Sequence, residues 1–336
     1  MKKALTVLGI LAAVAVGVFA IGVFNMFGEQ IRAMNSLSQV KDNVYTFEYK
    51  GDYGLRQLLE EGGRKTDAEI GDFFAAFMSK GYMKVNATTP DGGCSTITDG
   101  NLFGRNFDWD NKGNYVIVLT YPEDGYASIS TSSFTFIGFG NDWRPAKTMD
   151  KMVALASIYI PLDGMNEMGL CVADLIEIDG SSEIPDTEKP DLTITTAIRL
   201  LLDYAKDTDK AIELLSGYDV FTAVNLAHHL AISDRKGNNV VVEWNNGNMT
   251  VTPSDIVTNH CLAEDREHPF TGDSKKRFGI LSECKPGIGS SDDILQALKD
   301  VSYMNTTLWS IVYDKTNLTG SFHFEYDWDN PVNFSL

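Results

Sequence analysis

Cys94 follows Gly92-Gly93 and opens a short run, Ser95-Thr96-Ile97-Thr98, that ends at Asp99-Gly100 and returns through Asn101-Leu102-Phe103-Gly104-Arg105-Asn106-Phe107-Asp108. Asp-Gly between two such runs is a strong hairpin signal, because type I′ turns need positive φ at both central residues. With Asp99 and Gly100 as the loop, Cys94 is expected directly opposite Arg105. A guanidinium at that distance favours the thiolate, the reactive form of cysteine. The Pro90–Gly93 approach reads either as a plain linker or as the end of a propeptide cleaved at Gly93–Cys94, since a small residue before the thiol leaves its carbonyl open to attack. A cysteine that becomes the first residue of a chain carries its own base, since an α-amine titrates near ~7.7–8.0 and a thiol near ~8.5. Attack on an amide then makes an oxyanion that needs positioned donors. Asn259, at the end of a predicted strand, is a candidate for one.

Other chemistry-bearing residues are less organised. Asp108 lies three residues beyond Arg105 and falls on the opposite face of a regular strand, so a bend or bulge must intervene for it to approach the Cys94 nitrogen. Arg277 follows Lys275-Lys276, which is otherwise the composition of a solvated face. His228, His229, His260 and His268 show no metal-site periodicity. Asp108–Gly113 resembles the start of a calcium loop, but Lys112 takes a ligand position and no Glu follows at the twelfth. No metal or cofactor is expected. Cys171 reads as core, and Cys261 with Cys284 leaves one disulfide open.

These residues must be carried by a large body. The chain has 336 residues, 43% hydrophobic and 22% charged, ordinary values for a globular protein. Residues 1–93 hold ten basic and ten acidic residues, so the whole net charge of −18 lies after Gly93. Such a body repels phosphate backbones, which argues against nucleic acid. Lys2-Lys3 precede 24 uncharged residues, Ala4 to Phe27. That stretch is long enough to span a bilayer, and the paired lysines would hold the N-terminus in the cytoplasm with the body outside. Residues 1–28 are therefore expected to be a membrane anchor or a cleaved signal peptide, 29–93 a separate leader or propeptide, and 94–336 the catalytic domain. Within the leader, Thr66 and Glu69 form a capping box ahead of Ile70, Phe73, Phe74 and Phe77.

After Cys94 the pattern is rich in strands. Alternation marks Tyr115–Thr120, Tyr126–Phe139, Val153–Leu162, Met168–Ile178, Leu226–Ser233, Val240–Trp244, Met249–Thr252, Ile256–Asn259, Leu308–Tyr313 and Ser321–Tyr326. Helical periods mark Thr193–Lys206, Asp209–Leu215 and Asp292–Lys299. An α+β fold follows, with two antiparallel sheets packed face to face and helices outside.

Gly93-Cys94, Phe103–Asp108, Asp163-Gly164-Met165-Asn166-Glu167-Met168-Gly169-Leu170, His229–Asp234 with Val240–Glu243, Thr258-Asn259 and Arg277-Phe278 occur in an order that resembles the choloylglycine hydrolase family of N-terminal-nucleophile (Ntn) amidases. That family includes bile salt hydrolases and penicillin V acylases and is related to acid ceramidase and N-acylethanolamine amidases. The resemblance implies the four-layer αββα sandwich, hydrolysis of a non-peptide carbon–nitrogen bond in a small N-acyl amide, Arg105, Asp108 and Arg277 as site residues, and Asn259 as a side-chain oxyanion donor. Ile176 stands where many relatives carry an oxyanion asparagine, and isoleucine cannot donate. A backbone N–H, Asp174 or Asn166 could contribute instead. The short Cys94–Arg105 interval and the long leader point towards relatives activated by precursor cleavage. Three readings stay open: an exported, self-cleaving amidase; an acyltransferase using the same nucleophile; and a membrane-tethered binding protein without catalysis. A homo-oligomer is also left open.

Overall fold

A computed structural model describes residues 22–81, 83–87, 94–180, 187–222, 227–245, 247–264, 271–303 and 305–336. Residues 1–21 of the expected membrane segment, the approach 90–93 with Gly93, and His268 lie outside the described residues. Among those described, no helix is long and apolar enough to cross a membrane.

The helix α1 (22–36) leads into a hairpin of β1 (Ser38–Lys41) and β2 (Val44–Lys50), followed by α2 (Leu55–Glu60) and α3 (Asp67–Ser79). Cys94 then opens β3 (Cys94–Asp99), paired with β4 (Leu102–Asp108). Next come β5 (Tyr115–Tyr121), β6 (Ser128–Ser133), α4 (Thr148–Ala154), β7 (Asp163–Asn166) and β8 (Cys171–Glu177). A small parallel pair, β9 (Asp191–Thr193) and β10 (Asp219–Phe221), brackets α5 (Ile194–Tyr204) and α6 (Thr208–Leu215). The chain continues through β11 (Ala227–Ser233), β12 (Asn239–Asn245), β13 (Asn248–Pro253) and β14 (Ile256–Val257). Helices α7 (Thr271–Cys284) and α8 (Ser291–Asp300) precede β15 (Thr307–Asp314), β16 (Thr319–Phe324) and β17 (Val332–Ser335).

Two sheets result. One has nine strands in the order β1-β2-β5-β6-β7-β8-β11-β12-β13, and the other has six in the order β14-β3-β4-β15-β16-β17. Among the described residues, only β2 with β5 is parallel within them. The inner faces share one core that includes Phe47, Ile117, Leu175, Phe107 and Trp309. On the outer face of the large sheet, Val172, Leu230, Ile232 and Val242 meet Ile194, Ile198 and Leu201 of α5 and Leu215 of α6. On the outer face of the small sheet, Ile97, Leu102 and Val312 meet Leu281 of α7 with Ile294 and Leu298 of α8. This is the expected αββα sandwich, each sheet apolar on both faces because both are covered.

The leader departs from its expected independence. Strand β2 lies inside the large sheet, with Val44 to Lys50 in register with Tyr115 to Tyr121. The capping box forms as expected: Glu69 N donates to Thr66 Oγ1 at 3.3 Å, and Thr66 N donates to Glu69 Oε2 at 3.0 Å. The apolar face of α3 then packs into the body, where Phe73 and Phe74 meet the ring of Tyr159 edge-on. Tyr53 OH donates to the buried Asp203 Oδ2 at 2.5 Å, joining leader to α5 by a polar lock as well.

Two expected strands are also corrected. Val153–Leu162 is the end of α4 followed by a 3₁₀ turn, Leu155–Tyr159. Every residue from 153 to 162 is buried, so its apolar alternation carried no face information. The predicted strand Tyr126–Phe139 stops at Ser133, where a 3₁₀ turn begins.

Candidate active site

The β3–β4 hairpin turns one residue later than expected. Asp99 pairs with Leu102, so Gly100 and Asn101 form the loop. Gly100 has φ +54° and Asn101 does not have positive φ, the pattern of a turn with glycine at its first central position. All pairings therefore slip by two: Cys94 faces Phe107, and Arg105 faces Thr96. A slip of two preserves the face, so Cys94 and Arg105 remain diagonal neighbours on the inner side of the sheet. Arg105 Nη2 lies 3.5 Å from Cys94 Sγ.

Arg105 is fully buried and held at both ends of its fork. Nη1 donates to Leu162 O at 2.8 Å and pairs with Asp163, while Nη2 donates to Asp174 O at 2.8 Å. Asp163 is oriented in turn by Trp309 Nε1 at 3.0 Å and Tyr313 OH at 3.1 Å. Asp163 received no role from the sequence, although it opens the Asp163–Leu170 motif; a lone aspartate beginning a short apolar strand was the available signal.

The thiol itself is 2% exposed, and burial pushes its pKa up to about 11 against the pull of the Arg105 charge. The expected preference for thiolate is thus not met in this structure, because desolvation outweighs one guanidinium.

Cys94 N donates to Asn259 Oδ1 at 2.9 Å. Asn259 Nδ2 donates to Ile176 O at 2.7 Å, so position 176 enters through its carbonyl, and one amide N–H of Asn259 stays available. Arg277, from α7, closes the arrangement: Nη1 donates to Cys94 O at 2.8 Å and Nη2 to Asn259 Oδ1 at 2.7 Å. Its Nε bonds Asp273 at 3.0 Å, and its Nη1 is 3.8 Å from Asp108 Oδ2. Lys275-Lys276-Arg277 is therefore not a uniformly solvated run; helical spacing turns Arg277 inward.

Asp108 reaches Cys94 only through Arg277. The required irregularity lies on the partner strand, where the β15 register shifts between Thr307 and Trp309. Thr307 Oγ1 donates to Asp108 Oδ1 at 2.6 Å, and Oδ2 is buried with no hydrogen-bond partner among the described residues. Burial pushes the Asp108 pKa up to about 6, with Arg277 and Thr307 opposing.

The auxiliary candidates stand elsewhere. Asn166 Nδ2 donates to Leu202 O and Ala205 O, and Oδ1 accepts from Met168 N and Leu170 N, so its amide closes a turn and ties β7 to α5. The Asp174 carboxylate pairs with His228 Nδ1 at 2.9 Å; only its carbonyl touches Arg105. All four cysteines are free thiols, so Cys261 and Cys284 are not bridged. One group the sequence reading passed over does converge: ligating atoms of Glu177, His229 and Glu243, all buried, lie within 4.8 Å of one another. They come from β8, β11 and β12, which no linear spacing reveals.

A four-layer αββα sandwich with a cysteine at the head of an inner strand, backed by arginine and asparagine, defines the class of Ntn linear amide hydrolases. The chain belongs to the family described as acyl-coenzyme A:6-aminopenicillanic acid acyl-transferase, whose model matches residues 96–326. Among solved structures it is similar to a penicillin V acylase from Agrobacterium tumefaciens, with 16% identity, 72% of this chain and 84% of that one covered, and a TM-score of 0.50. It is also similar to a conjugated bile acid hydrolase from Clostridium perfringens, with 15% identity, 73% and 92% covered, and a TM-score of 0.52. No curated protein sequence matches.

Proposed function

We propose that the chain is an exported, self-cleaving cysteine amidase that hydrolyses the linear carbon–nitrogen bond of a small N-acyl amide through a Cys94 acyl-enzyme. The observation that carries this reading is the convergence of Arg105, Asn259 and Arg277 on the S, N and O atoms of Cys94. In self-cleavage, Cys94 Sγ attacks the Gly93 carbonyl carbon. The C–N bond breaks as the S–C bond forms, the nitrogen takes a proton, and water releases the thioester. The freed amine can then accept the thiol proton during attack on substrate and return it to the leaving amine. Asn259 Nδ2 supplies an oxyanion donor, a contact of a kind whose loss typically costs ~2.7–4 kcal/mol of barrier. Export follows from the lysine-flanked apolar N-terminus, through which the protein would associate with the membrane.

Intact-mass analysis tests the first step: incubation should yield a fragment beginning at Cys94, and a chain that stays uncut indefinitely would defeat the proposal. A second reading, transfer of the acyl group to an acceptor amine, is favoured by the transferase description of the family. Product analysis with added amine separates the two.

Asp108 gives a pH prediction. Its pKa is raised to about 6, so the carboxyl is neutral below that pH and charged above it. Turnover should fall as pH drops through about 6, when Arg277 loses the one of its two carboxylate neighbours that lies inside the site and keeps only Asp273. Asp108→Asn should flatten that limb in a pH–rate profile; an unmoved limb would remove Asp108 from the site.

A further inference from the structure

Asn259 is only as well placed as the segment that carries it, and that segment is held at successive polar points. Thr258 Oγ1 donates to Ser274 O at 3.1 Å, Ile178 N to Asn259 O at 2.9 Å, and Cys261 N to Asp179 Oδ1 at 2.8 Å. The next two amides converge on one carboxylate. Leu262 N donates to Glu243 Oε1 at 2.8 Å and Ala263 N to Glu243 Oε2 at 2.9 Å. Glu243 is fully buried on β12, and its register partner on β11 is His229, whose Nδ1 lies 3.2 Å from Oε1.

Both oxygens of Glu243 are thus committed to backbone, which sets the convergence with Glu177 and His229 apart from an open cation site. Burial alone would raise the Glu243 pKa, but His229 and the two amides hold it below the ordinary value. Burial would lower that of His229, yet Glu243 holds it above. The two form a buried hydrogen-bonded pair whose carboxylate also grips the loop.

We propose that Glu243, backed by His229, is a positioning residue that fixes the Asn259 amide at Cys94 by clamping the Leu262 and Ala263 N–H groups. The proposal rests on the reading of Cys94 as nucleophile and Asn259 as its oxyanion partner. Its force comes from tolerance: a misplacement of about 1 Å at a catalytic group costs on the order of 100-fold in rate.

The experiment is a double-mutant cycle on Gly93–Cys94 cleavage, timed by intact mass in the full-length chain. E243Q keeps an acceptor for only one of the two amides, and should slow cleavage roughly 10- to 100-fold. N259A should slow it at least as much. The double variant should be within about threefold of N259A alone, because Glu243 acts through Asn259. A purely structural role predicts multiplied losses, and that result, or E243Q cleaving at the wild-type rate, overturns the proposal. If E243Q does not fold, H229A serves: slowed cleavage with the same loss of additivity supports the clamp, and an unchanged rate sinks it. Hydrogen exchange judges the clamp separately from the chemistry. Lost protection at Leu262 and Ala263 in E243Q supports it, and unchanged protection overturns it. A wild-type chain that never cleaves but loses protection in E243Q would instead defeat the reading of Cys94. One equivalent of zinc in the purified protein, lost in E243Q, would replace the clamp with a cation site.

Discussion

Cys94→Ala should leave a single uncut chain and reduce amide turnover by roughly 10⁴-fold or more, the scale seen when a nucleophile is removed from a residue set that acts as a unit. The fold should survive. Only one buried sulfur is lost, and Arg105 keeps Leu162 O, Asp174 O and Asp163 as partners. The substitution therefore separates chemistry from stability. Intact mass reports the first effect, product release from a panel of N-acyl amides the second, and circular dichroism the retained structure. A variant that still cleaves, or that turns over amides at the parent rate, would eliminate Cys94 as nucleophile.

The second large effect concerns the leader. After cleavage the two fragments should stay together through native size-exclusion chromatography and separate only under denaturing conditions. Val44, Phe47, Tyr49, Tyr53, Leu55, Leu58, Ile70, Phe73, Phe74 and Met78 are all buried in the core. At about 1.5–3 kcal/mol for each such side chain, their gross burial exceeds the roughly 12 kcal/mol of a nanomolar complex, before ordering costs are subtracted. Strand β2 also supplies seven register pairs to β5, so its departure would expose an edge of the large sheet. Phe74→Ala, which empties the edge-on contact with Tyr159, should cost about 3–5 kcal/mol of stability in denaturant titration. Recovery of the Cys94 fragment alone, folded and without its leader, would contradict this account.

Local signals in the sequence proved legible where they were self-contained. The Thr66–Glu69 box, the α5 face and the β11–β12 pair needed nothing beyond their own residues. The hairpin was legible in parity but not in register: Asp99-Gly100 and Gly100-Asn101 are both acceptable loops, and both leave Arg105 on the Cys94 face. Val153–Leu162 was misread because complete burial removes the contrast between faces on which periodicity depends. Cys94, Arg105, Asp108, Asn259 and Arg277 do meet in space, whereas Asn166 and the Asp174 carboxylate face other partners, and the connections among them were illegible. Arg277 bonding Cys94 O, Asp163 holding Arg105, and Glu243 gripping the amides after Asn259 join elements far apart in the chain. The leader was misplaced for a related reason: neutral charge and flanking glycines mark a boundary in composition, whereas strand pairing ignores such boundaries.

The bond from Cys94 N to Asn259 Oδ1 exists while that nitrogen is still a peptide nitrogen. Under the proposed mechanism the machinery is therefore assembled before it is switched on. Activation becomes the unmasking of one amine within a finished scaffold, with no rearrangement to drive it. Precursor and product should look alike to any shape-sensitive probe and differ in what titrates: one new amine near neutral pH, beside a thiol that until then had no base of its own.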